Sequence, residues 1–137
     1  MTDCLFCKIA RKEISSQDVY EDADTFAFLD IHPRAPGHVM VIPKRHADTI
    51  LALDESAVGP LFAAVKKVTA AIKRAFNPDG FTIGINHGAA SGQAVDHVHV
   101  HVIPRWRDDG GGSLHSVVQN PPEESPDEIR DRIRAGI

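Results

Sequence analysis

Six consecutive positions, His97-Val98-His99-Val100-His101-Val102, alternate an imidazole with an apolar side chain. A period of two is that of a β-strand, whose successive side chains point to opposite faces, so the three imidazoles share one face and the valines pack on the other. The histidines then face something other than the hydrophobic interior. Three imidazoles on one face can bind a metal, perform catalysis or stand in solvent. Strand residues two apart lie about 6.5–7 Å apart and residues four apart about 13 Å. His97 and His101 are therefore not expected to share one ion, whose bonds to nitrogen are about 2.0–2.1 Å. An imidazole of ordinary pKa, about 6.5, is largely neutral at pH 7 and can attack phosphorus, while a neighbouring imidazole carries a proton or bonds an anionic oxygen. His99, with a partner on either side, is the natural nucleophile.

Cys4-x-x-Cys7 is the second group with chemistry in it. In a reduced compartment it is a redox pair, half of a zinc site or a chance spacing, and two further soft ligands would decide. The small-residue stretch Gly88–Gln93 is an ordinary hairpin loop or, through the backbone N–H groups of Ser91, Gly92 and Gln93, a nest for phosphate oxygens. No Walker-type glycine-lysine loop is present, and His32, His87 and His115 read as surface residues.

The elements that must position these groups are legible in outline. Leu5, Phe6, Ile9 and Ile14 are loosely helical in spacing and predict a short N-terminal helix over residues 4–16, leading into an extended segment at 19–21. Residues 25–30 and 38–43 read as strands joined by the turn His32-Pro33-Arg34-Ala35-Pro36-Gly37. Asp54 is placed to cap a long helix whose apolar positions Val58, Leu61, Phe62, Val65, Val68, Ile72 and Phe76 recur every three or four residues. Asn77-Pro78-Asp79-Gly80 stops it, residues 81–86 resume a strand, and a last strand runs over about 96–104. The polar stretch Asp108-Asp109-Gly110-Gly111-Gly112 has too little apolar surface to order itself alone. Ser125-Pro126-Asp127-Glu128 carries the signature of a capping box and starts a tail helix through Ile133. The expected fold is α+β: an antiparallel sheet of about five strands with one long helix packed on it, a short N-terminal helix and a C-terminal tail helix. A single domain over 1–137 is expected, with its core over about 3–106 and a tail over 107–137.

Composition narrows the class. The chain has 137 residues, 42% hydrophobic and 25% charged, and a formal net charge of −4. Such a length buries roughly 65–70% of the unfolded surface and needs no disulfides for stability. Only 15 Lys and Arg residues argue against a phosphate-backbone surface for nucleic acid. No apolar run reaches a membrane span, and Met1-Thr2-Asp3 does not open a signal peptide, so a cytoplasmic, reduced protein is expected.

Taken with its surroundings, the strand resembles the histidine triad family, whose signature is H-φ-H-φ-H-φ-φ with φ apolar. Here it reads His97-Val98-His99-Val100-His101-Val102-Ile103, preceded by Gly92-Gln93 at the family's spacing. Cys4-Leu5-Phe6-Cys7-Lys8-Ile9, Phe28-Leu29-Asp30-Ile31, Pro36 to His46, and Asn86 follow in family order, so that about residues 3–106 are covered. Lys8–Ile14 and Asn86 lean to the Hint branch of small dimeric nucleotide-binding phosphoramidases.

The resemblance implies that His99 attacks the α-phosphorus of a purine nucleotide derivative of the adenosine phosphoramidate type, forming a nucleotidyl-histidine that water hydrolyses. It gives His101 and His38 the phosphate oxygens and proton transfer, Asp30 the ribose hydroxyls, and Phe6, Ile9, Ile14, Phe28, Ile31 and Met40 the slot for the base. Asn86, Gly92 and Gln93 complete the nucleotide site. Several bacterial members and related nucleotidyltransferases hold a structural zinc at positions matching Cys4, Cys7, His46 and His97, and the family forms homodimers by joining sheets and packing the long helices. Ala94 departs from the family, which has Ser or Thr directly after Gly-Gln. A methyl group can neither pass a proton nor bond a phosphate oxygen. Two other functions stay open on the residues: a dinucleoside polyphosphate hydrolase or phosphorylase using the same nucleophile, and a nucleotide-binding module with little turnover.

Overall fold

The computed structural model describes residues 3–137. Its centre is a five-stranded antiparallel sheet in the order β1-β2-β3-β5-β4, built from β1 (Asp18–Glu21), β2 (Thr25–Leu29), β3 (Val39–Pro43), β4 (Gly80–Gly84) and β5 (Val100–Arg105). In β2 and β3 nearly every residue is buried, because both faces of the sheet are covered. On one face lies α2 (Glu55–Phe76). Its Leu61, Ala64, Val65, Val68 and Ile72 pack on Ala27, Val39, Val41, Val98, Val100 and Val102. Val98, Val100 and Val102 are completely buried; each such valine contributes roughly 1.5–3 kcal/mol relative to exposure. Phe62 and Phe76, expected on the same face of α2, are 40% and 50% exposed.

The other face carries a second, smaller core closed by α1 (Leu5–Ala10), in which Phe6, Ile9 and Ala10 meet Phe26, Phe28, Met40 and Ile42. That helix is shorter than the sequence suggested. Cys4 caps its start, its sulfur accepting from Cys7 N–H at 3.4 Å, and Lys12 ends it by turning left-handed at φ 63°. The glycine-free left-handed turn is stabilised by Glu13 N–H bonding back to Lys8 O at 2.9 Å.

Other boundaries shift for local reasons. Regular pairing in β5 begins only at Val100, and His97–His99 precede it, since Val98 N–H bonds Ala47 O at 2.8 Å instead of a neighbouring strand. Asp54 does not cap α2 with its side chain, which is drawn into an ion pair with Arg45. The 108–112 stretch is ordered without burial: Asp109 accepts a fork of hydrogen bonds from Arg105, at 2.7 and 3.0 Å, and the backbone N–H groups of Trp106 and Gly111. Charge-assisted bonds do there what apolar area could not. In the tail, α3 (Pro126–Ala135) has the expected capping box between Ser125 and Glu128. No helix among the described residues is long and apolar enough to cross a membrane.

Candidate functional site

The strand alternation holds where it matters. Val100 and Val102 point at α2 while His101, paired across to Met40 of β3, lies on the face carrying α1. That face is not solvent. His97 is fully buried and His99 is 5% exposed, because Phe6 of α1 stacks edge-on against both rings, at centroid distances of 6.1 and 5.1 Å. The expectation that the imidazoles avoid the interior is therefore corrected for His97 and His99; only His101 is partly open.

Burial leaves each imidazole with specific partners, and the partners fix its proton. His99 Nδ1 lies 2.8 Å from the main-chain carbonyl of His97. A carbonyl can only accept, so Nδ1 carries the hydrogen and the Nε2 lone pair is free. His38 Nδ1 accepts from the backbone N–H of Arg34 at 3.0 Å, which places its proton on Nε2. That group donates to His101 Nδ1 at 2.9 Å, so His101 must carry its own proton on Nε2. The chain Arg34 N–H, His38, His101 thus turns His101 into a donor, next to a lone-pair-bearing His99 whose ring centroid is 5.1 Å away. Asp30 Oδ2 sits 3.5 Å from His38 Nε2 and 3.8 Å from His101 Nδ1, and Oδ1 accepts from His32 N–H at 2.8 Å. These three side chains could also hold a cation. A metal on His38 Nε2 would, however, displace its proton to Nδ1 and break the Arg34 bond.

Desolvation holds His101 at a pKa of about 4, helped by the neighbouring His99 and His38 and opposed by Asp30. His38 is also lowered, first by burial. Both are neutral at pH 7. Because the folded pKa of His101 lies below the unfolded value, its contribution to stability is complete above pH 6.5 and is lost as the pH falls toward 4. Between pH 6.5 and 5 the loss is on the order of 2 kcal/mol. Denaturant titrations at pH 7 and 5 should show a shallower pH dependence in His101→Asn than in the parent. Equal acid losses in the two proteins would contradict this assignment.

Around this centre the remaining expected residues are unequally placed. A cavity of about 480 Å³ opens beside Asp30 and His38, walled by Leu29, Pro33, Arg34 and Gly37. Gly37 takes φ 87°, and a Cβ there would meet the Phe76 ring at 3.2 Å. Of the six base-slot residues, Phe6, Ile9, Phe28 and Met40 are interior, whereas Ile14 and Ile31 are 38% and 84% exposed. Asn86 is exposed just past the end of β4, whose Gly84 pairs with His101. The phosphate nest is not free as folded: Ser91, Gly92 and Gln93 N–H donate to Gly88 O, Ala89 O and Gly88 O, at 3.2, 3.0 and 3.2 Å. Gln93 is no free donor either. Its Nε2 bonds Asp48 O and Val95 O, and its Oε1 accepts from Gly88 N–H.

A second cluster lies behind His99. Cys4, Cys7, His46 and His97 bring their ligand atoms within 4.8 Å of one another and could hold a metal. Cys4 Sγ and Cys7 Sγ stand 3.4 and 3.5 Å from His97 Nδ1, and Cys7 Sγ stands 3.3 Å from His46 Nδ1. Those separations match the edge of about 3.5 Å expected for a tetrahedron with Zn–S near 2.3 Å and Zn–N near 2.05 Å. Both rings are turned for it. His97 Nε2 donates to Pro43 O at 2.8 Å and His46 Nε2 to Asp48 Oδ1 at 2.7 Å, leaving both Nδ1 lone pairs directed at the sulfurs. Burial pushes the Cys7 thiol up and His97 down to about 4.

Comparison with known proteins agrees with this architecture. The family model described as the HIT domain matches residues 11–108. The chain belongs to the HIT family. Among HIT relatives, an adenosine 5'-monophosphoramidase of Schizosaccharomyces pombe is 40% identical over 108 residues, covering 79% of this chain and 78% of its own. The adenylylsulfatase HINT3 of Arabidopsis thaliana is 40% identical over 103 residues, 75% of this chain and 52% of its own. A HIT family protein from Bacillus anthracis, solved by crystallography, superposes with a TM-score of 0.86 at 38% identity, over 98% of this chain and 97% of that one. The α+β fold with its five-stranded antiparallel sheet is that of these HIT structures.

Proposed function

We propose that the protein is a nucleotide hydrolase or transferase that works at the α-phosphate of purine nucleotide derivatives, adenosine phosphoramidates foremost, through a nucleotidyl-histidine. One observation carries this reading: the His97 carbonyl fixes His99 as the Nδ1–H tautomer, leaving Nε2 bare for attack. Nucleophilic attack by His99 Nε2 on phosphorus forms the N–P bond as the bond to the leaving amine breaks, and the amine needs a proton. His101 Nε2–H, oriented by His38 and the Arg34 amide, bonds a phosphate oxygen, and the leaving amine takes its proton from solvent. In the second half, water attacks phosphorus as the His99 Nε2–P bond breaks, its proton returns to solvent, and the nucleoside monophosphate leaves with His99 regenerated. The donor tautomer of His101 thereby stands in for the hydroxyl that Ala94 lacks. Asp30 meets the ribose diol; Ile14 and Ile31 border the base, over a floor of Phe6, Ile9, Phe28 and Met40. Asn86 orients the phosphate, and Gly92 and Gln93 shape the loop beside it. The names of two relatives, a monophosphoramidase and an adenylylsulfatase, support a substrate with an adenylyl group. Comparing kcat/KM on an adenosine phosphoramidate and a diadenosine polyphosphate tests the choice of substrate; a preference for the latter, or tight AMP binding with no turnover of either, would overturn it.

The Cys4, Cys7, His46 and His97 set fits zinc by donor chemistry and by separation. With four protein ligands such an ion has no open position, so it supplies structure and no reaction step. We further propose a homodimer joined through β4. That edge strand, Gly80-Phe81-Thr82-Ile83-Gly84, carries no charge and no proline, whereas the opposite edge, β1, has Asp18, Glu21 and a bulge. Beside β4 runs an apolar groove with Phe62, Val65, Ala70, Phe81 and Ile83 in its walls. Light scattering after size exclusion should give a dimer for the parent and a monomer for Phe62→Glu, a change on the exposed side of α2. A dimeric Phe62→Glu protein would place the interface elsewhere.

A further inference from the structure

Asp48 has no part in the scheme above, yet it touches both halves of it. Its carboxylate Oδ1 accepts from His46 Nε2 at 2.7 Å, and its main-chain carbonyl accepts from Gln93 Nε2 at 2.7 Å. Gln93 carries the contact onward: its Oε1 accepts from Gly88 N–H at 2.8 Å, and its second amide hydrogen goes to Val95 O at 3.0 Å. The amide group of Gln93 is thus committed at both donors and at its acceptor. It is a brace across the 88–93 loop, anchored on the residue that orients His46.

From this geometry we infer that Asp48 is a positioning residue that couples the Cys4–Cys7–His46–His97 centre to the 88–93 loop through Gln93. The inference rests on the metal and nucleotide readings of those two places. A carboxylate on the distal nitrogen of an imidazole fixes its tautomer, aims its other lone pair and raises its basicity, which for a metal ligand is worth 10–100-fold in affinity. The same residue's backbone then holds the loop, so a filled metal centre and a well-placed phosphate loop favour one another. Such coupling is reciprocal.

The test uses the full chain loaded with zinc, with release to a chromogenic chelator as one readout and AMP affinity by calorimetry as the other. Asp48→Ala should release zinc about 10–100-fold faster, with Asp48→Asn, which keeps an acceptor without the charge, falling between it and the parent. Gln93→Met should speed zinc release severalfold, less than Asp48→Ala does, and weaken AMP about tenfold, since it fills the space without any of the three hydrogen bonds. Asp48→Ala should weaken AMP in the parent background and add little in the Gln93→Met background, because both act through one brace. Release from Asp48→Ala at the parent rate, or effects on AMP that simply add, would overturn the coupling while leaving the metal centre standing. A parent that takes up no zinc would instead remove the metal reading, and the coupling with it.

Discussion

His99→Ala is expected to lose about 10⁴-fold or more in kcat/KM on an adenosine phosphoramidate while binding AMP with nearly the parent affinity. The asymmetry follows from what the imidazole touches. Its Nδ1–H is spent on the His97 carbonyl and its ring on the edge of Phe6, so the free Nε2 is its contribution to the reaction and is felt chiefly when a bond to phosphorus forms. Truncation in this buried place also leaves a cavity, and Phe/Trp-sized losses cost about 3–5 kcal/mol. Thermal melts should therefore accompany the kinetics, and His99→Asn, nearer in size and still able to donate to the His97 carbonyl, is the control. A His99→Asn protein that is folded, binds AMP and still turns over at a tenth of the parent rate or better would remove His99 from the nucleophile's role.

Metal loss is the second large effect. A protein purified without chelator should carry about one equivalent of zinc, and Cys4→Ser should carry far less. An ion present at a thousandfold above its dissociation constant adds about 4 kcal/mol to the folded state. For a domain of this size that corresponds to a fall in Tm of more than about 10 °C on stripping. An ion held there would clamp α1, through Cys4 and Cys7, to the segment carrying His99, through His97. His97 also presents the carbonyl that selects the His99 tautomer, so activity should fall along with stability. Calorimetric melts before and after chelation measure the first part; less than about a tenth of an equivalent of zinc in the parent, or an unchanged Tm, would contradict it.

How much of this was legible in the sequence depended on whether side-chain type carried the signal. Period-two alternation placed His101 and the valines on opposite faces, and the inability of His97 and His101 to share an ion agrees with their separation into two clusters. The capping box at Ser125 and Glu128 also appeared as written. Periodicity could not show that α1 closes a second core over His97 and His99, because a six-residue helix with Phe6 and Ile9 inward gives little pattern to read. Nor could side-chain identity reveal groups that act through the backbone. The Arg34 amide sets the proton on His38, the His97 carbonyl sets that on His99, and the Asp48 carbonyl holds Gln93. Gln93, which the resemblance puts in the nucleotide site, is engaged at every polar atom of its side chain, and the loop N–H groups that could cradle phosphate are bonded within the loop. Asp48 stood in no motif. The tail's Asp109 was hidden for a related reason: composition counts apolar area, and that turn is held by charge.

Catalysis through His99 requires a covalent bond between its Nε2 and phosphorus. Rapid mixing of the parent with an adenosine phosphoramidate, acid-free quenching within the first turnover, and intact-mass analysis followed by peptide mapping observes it directly. One adenylyl group per chain is expected, on His99, decaying at the rate at which AMP appears. Amine released in a burst with no adduct on the protein, or an adduct on any other residue, would contradict it.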